Sequence, residues 1–340
     1  MTQTDRRGLQ RTRAAVNQPR ALALGEPSAE LDKLTDINLD DLFEAGGLPW
    51  LRRTPFQHLL RPTARRFALV AHEFDRRVGS HGLAQGSAWL LQRMTAGSQI
   101  EGVEHVPATG PVVVLANHPG MTDTVALLSS LASRPDLLVI AMDRPFLRAL
   151  PNVAKHLIFV ADDDARRMGV VRAVAKHLKQ GGALLTFPAG EIEPDPATFG
   201  RRKAVDALAH WSDSFVRFAR LAPRTRFVPA VVSNVVSAAA QRHTLTWLRR
   251  TAQAKEQMAA ALQVAMPRYQ DLVARVAFGP SQEACASESA LLRSAIIAQV
   301  RRLIEPSAGD AETSTAHRDA DRSGRLRPVE PPRAPWRPVA

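Results

Sequence analysis

The chain has 340 residues, 45% of them apolar, which is enough to bury a full core in one or two domains. Its single cysteine, Cys285, excludes an internal disulfide framework and any cysteine-rich metal site. No run approaches the roughly 18 uncharged apolar residues of a membrane-spanning helix, because the longest candidate, Phe227 to Ala240, is interrupted by Pro229, Ser233, Asn234 and Ser237.

The formal net charge is +12, and its excess sits in the middle of the chain rather than at the ends, with segments 41–100 and 241–280 each carrying four more basic than acidic residues. A basic surface of this kind can attract nucleic acid, anionic lipid headgroups or phosphorylated and acidic partners. Nucleic acid is the weakest of these, since the chain has no recognisable reading motif and only 5% aromatic residues for base stacking.

In chain order, residues 1–40 and 306–340 are rich in Pro, Ser, Ala and mixed charge without an apolar period, which predicts disordered tails, the second rich in Pro and Arg. The N-terminal stretch is basic but lacks an apolar segment, so no secretory signal is expected and the expected location is the cytoplasm or a membrane surface facing it. Residues 41–97 form an amphipathic helical region. There Phe67, Val70, Ala71, Phe74 and Val78 recur at helical spacing, with Arg65, Arg66, His72 and Arg76 towards the other side. Such a helix either packs on the core with its basic face in water or lies in a membrane interface.

From residue 98 to 305 the texture changes. The runs 111–116, 136–142, 156–161, 183–187 and 226–232 read as strands buried on both faces, and 271–280 as a further strand. Helical stretches separate them at Thr124–Ser133, Arg166–Gln180, which Gly181 and Gly182 terminate, and Ala204–Leu221. A basic helical insertion covers about 241–269 and carries Leu245, Trp247, Leu248 and Met258. The expected fold is an α/β layered domain, a mostly parallel sheet flanked by helices, preceded by the N-terminal helical region. Its chemistry belongs where strands end.

The stretch "ANHPGMTD" (116–123) follows the first buried strand and places His118 and Asp123 at such an end, with Gly120 in the turn. An aspartate bonded to one ring nitrogen fixes the imidazole tautomer and raises the basicity of the other nitrogen, which can then take a proton from a hydroxyl or amine. A histidine in a turn beside a helix-capping aspartate is also a common arrangement without catalysis, and the spacing alone leaves both readings open.

"NHPGMTD" resembles the N-H-x4-D motif of the glycerolipid acyltransferase family of the 1-acylglycerol-3-phosphate type. The lead-in "IEGVEHVPATGPVVVLANH" is similar to the strand that precedes that motif. "DRPFLRALP" (143–151) resembles the second block of the family, "GGALLTFPAGEIEPDP" the third, and "RFVPAVVSNV" the fourth, in the same order over about residues 98–240. The resemblance implies a glycerol-3-phosphate acyltransferase-like fold. It also implies an enzyme in which His118 is the general base and Asp123 orients it. The acceptor attacks an acyl thioester directly, with no acyl-enzyme, no metal and no cofactor beyond acyl-coenzyme A or acyl carrier protein as co-substrate. By the same resemblance Asn117, Gly120, Arg144, Pro188 and Gly190 are candidate substrate-binding residues, with backbone N–H groups near Gly120 or at Gly190 as oxyanion donors. Arg166 and Arg167, at a helix start after a core strand, are further candidates for a phosphate, and Glu191 is one where the sequence departs from the family. A membrane lipid surface is the expected partner, with the protein peripheral on the cytoplasmic face.

The third block departs from the family. Ala189 stands where Glu is usual, and Glu191, Ile192 and Glu193 stand where Thr-Arg-Ser is common. A carboxylate pair there would repel a phosphate and could hold an ammonium group. N-acylation of an amine acceptor, as in the ornithine-lipid branch, is therefore an alternative, as is a catalytically silent lipid-binding relative. The acidic run at 162–164 is expected to serve a helix start and not a metal.

Overall fold

The computed structural model of the chain describes residues 29–47, 49–160, 164–249, 252–283 and 289–305. Three helices come first, α1 (Ala29–Gly46), α2 (Gln57–His81) and α3 (Leu83–Met94). Asp32, Asp36 and Asp40 recur every fourth residue on α1 and so share a face. They meet Arg65 at 2.8 Å, Arg61 at 2.6 Å, and Arg52, in reverse order, so α1 runs antiparallel to α2. The chain is thus helical from Ala29, well inside the segment expected to be a disordered tail, while residues 1–28 and 306–340 lie outside the described residues. The basic face expected on α2 is largely paired within the protein. Arg65 bonds Asp32, Arg76 bonds Glu73 at 2.7 Å, and His72 lies 3.9 Å from Glu30. On the other side of α2, Ala71, Phe74 and Val78 are buried in the core.

The sheet comprises β1 (Gly97–Glu101), β2 (Val112–Ala116), β3 (Leu138–Met142), β4 (Leu157–Val160), β5 (Ala183–Thr186), β6 (Arg226–Ser233), β7 (Val273–Phe278) and β8 (Gln282–Glu283). Its order is β1-β7-β6-β2-β5-β3-β4, with β8 beside β6. Strands β6, β2, β5, β3 and β4 are mutually parallel, β7 is antiparallel to β6, and β1 is parallel to β7. Each of the six apolar runs forms a strand. β4, expected to be buried on both faces, is half-buried along its length because it is an edge strand that pairs with β3 alone. β1 is the opposite edge, mostly exposed and without an apolar run to announce it.

Around the sheet lie α4 (Met121–Ser130), α5 (Pro145–Arg148), α6 (Pro151–Ala154), α7 (Asp164–Lys179), α8 (Pro196–Phe199), α9 (Arg201–Ala207), α10 (Ser214–Leu221), α11 (Ala238–Gln241), α12 (Ala252–Ala265) and α13 (Ser289–Ile304). The stretch expected as one helix over 204–221 breaks into α9, a 3-10 turn at Leu208–His210 and α10, because Trp211 turns extended and enters the core, where it is 2% exposed. Alternation along β2 sends Val112, Val114 and Ala116 to the side covered by α2, α3 and α4. Val113 and Leu115 go to the side covered by α7, α10 and α13. Both faces being covered is what makes the central strands continuously apolar.

Candidate active site

Five parallel strands end on one edge of the sheet, and β2 delivers His118 there. The residue between them, Asn117, is 2% exposed and bridges to the neighbouring strand. Its Nδ2 donates to the Val232 carbonyl at 2.9 Å and its Oδ1 accepts from the Val232 N–H at 2.7 Å. Its amide therefore holds the exit of β2 against β6 instead of facing a substrate, which corrects its assignment as a binding residue.

After His118 the chain turns through Pro119 and Gly120 and starts α4, which places Asp123 in the first helical turn. Asp123 is fully buried. Its Oδ2 accepts from the Gly120 N–H at 3.0 Å and from His118 Nδ1 at 2.8 Å, and its Oδ1 accepts from the Thr124 hydroxyl at 3.0 Å and from the Thr124 N–H. With both oxygens accepting, Asp123 faces the His118 Nδ1 as an acceptor. The neutral imidazole then carries its proton on Nδ1, and its Nε2, which has no hydrogen-bond partner among the described residues, holds the free lone pair. One face of the ring packs on Phe187, with 4.5 Å between ring centroids. Burial disfavours the charged imidazole, but the charge of Asp123, its hydrogen bond and the charge of Glu193 outweigh it, so the His118 pKa is raised above the ordinary 6.5.

Glu193 is the residue of this site that the sequence reading misplaced. It is 5% exposed, and the carboxylate pair imagined for Glu191 and Glu193 does not exist: Glu191 is exposed while Glu193 points inward. Its Oε2 accepts from the His118 N–H at 2.9 Å and its Oε1 from Trp211 Nε1 at 2.7 Å, and its own N–H donates to the His118 carbonyl at 2.9 Å. Burial pushes its carboxyl up to about 7, against the pull of those donors and of His118. Nearby, the fully buried Asp195 accepts from the N–H groups of Ala197, Asn234, Val235 and Val236, which staples the same loop to the end of β6.

The other candidates divide. Gly120 has an extended backbone, its N–H is committed to Asp123, and a side chain at its position would meet only Val236, at 3.7 Å. Gly190 turns with φ +69° into open space, but its N–H is bonded to the Phe187 carbonyl at 3.0 Å. The N–H groups of Gly120 and Gly190 themselves are therefore already engaged, which leaves the amides just after Gly120. Pro188 is buried, and its carbonyl accepts from the Ser212 N–H at 2.9 Å, so it shapes the loop. Arg144 is exposed at the exit of β3, where its charge favours the ionised form of Asp41 on α1, although burial raises the Asp41 pKa overall. Arg166 and Arg167 fall in the first turn of α7, and their side chains lie outside the described residues, as do Asp162 and Asp163. Exposed apolar side chains stand at the ends of the same strands: Met121, Met142 and Ile192.

A buried strand thus delivers a histidine that an aspartate on the next helix holds at Nδ1, which leaves the other ring nitrogen able to accept a proton. Residues 97–233 match the model of the Acyltransferase family. Among solved structures, the chain is similar to the 1-acyl-sn-glycerophosphate (LPA) acyltransferase PlsC from Thermotoga maritima, at 16% identity over 81% of this chain and 93% of that one, with a TM-score of 0.39. At that score the backbones superpose too loosely for the neighbour's chemistry to bear on this chain. No curated protein matches the sequence significantly.

Proposed function

We propose that the protein transfers a fatty acyl chain from acyl-coenzyme A or acyl carrier protein to a lysophospholipid or related lipid acceptor, with His118 as general base. The observation that carries this reading is the His118 Nδ1 to Asp123 bond of 2.8 Å together with an unpartnered Nε2 at the open edge of the sheet. The acceptor hydroxyl gives its proton to Nε2 as its oxygen attacks the thioester carbonyl. The tetrahedral intermediate then expels the thiolate, which takes the proton back from Nε2. No covalent enzyme intermediate is needed. With the N–H groups of Gly120, Gly190 and Thr124 committed, the Met121 and Thr122 amides at the start of α4, which have no intrahelical acceptor, are the oxyanion donors of this reading.

A phosphate grip would have to come from outside the third block, where Ile192 is 53% exposed, with Arg144 as a described candidate and Arg166 and Arg167 beside it in sequence order. The buried position of Glu193 weakens the case for an ammonium-bearing acceptor, which would find Glu191 alone. We place the protein at a membrane surface because its acceptor resides there, and no helix among the described residues is long and apolar enough to cross a membrane.

The test is transfer of a labelled palmitoyl chain from palmitoyl-coenzyme A and from acyl carrier protein to lysophosphatidate, lyso-ornithine lipid precursors and neutral glycerides. His118→Ala is expected to lower kcat by about 10² to 10⁴ with the fold intact. Undiminished transfer by that variant would remove His118 as the base.

A further inference from the structure

We propose that Glu193 is a positioning residue for His118, a single side chain that fixes the main chain of the base and supplies a second negative charge behind it. This rests on the reading of His118 as the base. Seventy-five residues separate the two in sequence, yet Glu193 satisfies both main-chain groups of His118, its Oε2 accepting the N–H and its own N–H reaching the carbonyl. Trp211 in turn holds the remaining carboxyl oxygen. The imidazole is thereby set at two points, at Nδ1 by Asp123 and at its backbone by Glu193, so the direction of Nε2 is fixed.

The donor pattern identifies what the position requires. Two N–H groups converge on two oxygens, which a carboxylate accepts and a carboxamide cannot, because its NH₂ would face one of the donors. The titratable groups facing Glu193 are His118 in the turn after β2 and Asp123 on α4, while Trp211 contributes a neutral donor. Burial lifts the Glu193 carboxyl into the range where imidazole titrates, so the two groups exchange influence, each favouring the charged form of the other.

The experiment uses the full chain and two readouts. Histidine carbon NMR follows the His118 titration, assigned by its loss in His118→Ala, and transfer from palmitoyl-coenzyme A is measured with the acceptor panel. In Glu193→Gln, His118 is expected to titrate at lower pH than in the parent, and kcat to fall roughly 10- to 100-fold as the base loses its orientation, with KM little changed. Trp211→Phe is expected to move both readouts in the same direction by less, because losing the indole donor leaves the carboxyl more protonated. If circular dichroism finds Glu193→Gln unfolded, Trp211→Phe decides. An unmoved His118 titration and unchanged kcat in the folded variants would overturn the proposal. Transfer that survives His118→Ala would instead remove the catalytic reading, and the NMR titration would still decide whether Glu193 tunes the imidazole.

Discussion

A carboxyl held at about 7 in the folded protein and near 4.5 when unfolded makes stability depend on pH with a definite sign. Between those values the folded state keeps a proton on Glu193 that the unfolded chain has lost, so stability falls as pH rises through that window. His118 acts in the same sense, since its raised pKa gives stability that is present below 6.5 and lost as pH rises through the folded value. The Glu193 contribution amounts to up to about 3 kcal/mol on a shift of this size. Urea unfolding at pH 5 and pH 8 is expected to find the parent losing more stability between the two than Glu193→Gln does. Equal losses would mean that Glu193 ionises normally. The sequence announced His118 and Asp123 because they are five residues apart and share one turn. It could not announce Glu193, whose partners come from far along the chain: His118 from the exit of β2, and Trp211 from the turn before α10.

At the scale of elements, the strands were legible for a simple reason. Val112 to Ala116 and Phe227 to Val232 lie between helical layers, so both pleat faces are buried and the apolar run is uninterrupted. Where that condition fails, the reading weakens: β1, an exposed edge, was not read, and β4 was read as a strand but is half-buried rather than buried on both faces. α1 was hidden by its surroundings, although Leu31, Leu34, Leu39 and Phe43 are all buried and its acids pair with α2. The connection opposite the active edge is fastened by Arg134, which is 3% exposed. It donates to the carbonyls of Pro107, Gly110 and Gly181 and forms a two-pronged pair with Asp136, joining the entries of β2, β3 and β5. Arg134→Met leaves buried carbonyls without donors and is expected to cost about 2 to 4 kcal/mol in urea unfolding, while kcat of the folded protein stays unchanged. A loss below about 0.5 kcal/mol would mean that water replaces the guanidinium without penalty.

Across the whole molecule, the proposed function requires a site at one sheet edge to meet an acceptor that stays in a bilayer. Basic charge on α2 was the first candidate, and α1 neutralises much of it. Apolar side chains also stand exposed: Trp50 at 65%, Phe56 at 54% and Leu59 at 68% near the start of α2, and Trp247 at 73% in the insertion after β6. These come from neighbouring stretches, because Gly47, just before Trp50, lies against the guanidinium of Arg249, just after Trp247. The first of these stretches lies towards that edge of the sheet, since the preceding helix α1 packs on α5, which follows the exit of β3. Indole rings at a tip of this kind suit the headgroup boundary, where one side of the ring is wet and the other apolar. Moving a large side chain out of water is worth roughly 1.5 to 3 kcal/mol when burial is complete and less at an interface. The double variant Trp50→Ser with Trp247→Ser is therefore expected to bind vesicles of mixed phosphatidylcholine and phosphatidylglycerol about 10- to 100-fold more weakly in a flotation assay. Its rate on a soluble short-chain acceptor should be preserved, because neither residue touches His118 or Asp123. Unaltered vesicle binding would move the membrane contact to another face, and a matching loss on the soluble acceptor would mean that the tip supports the site itself.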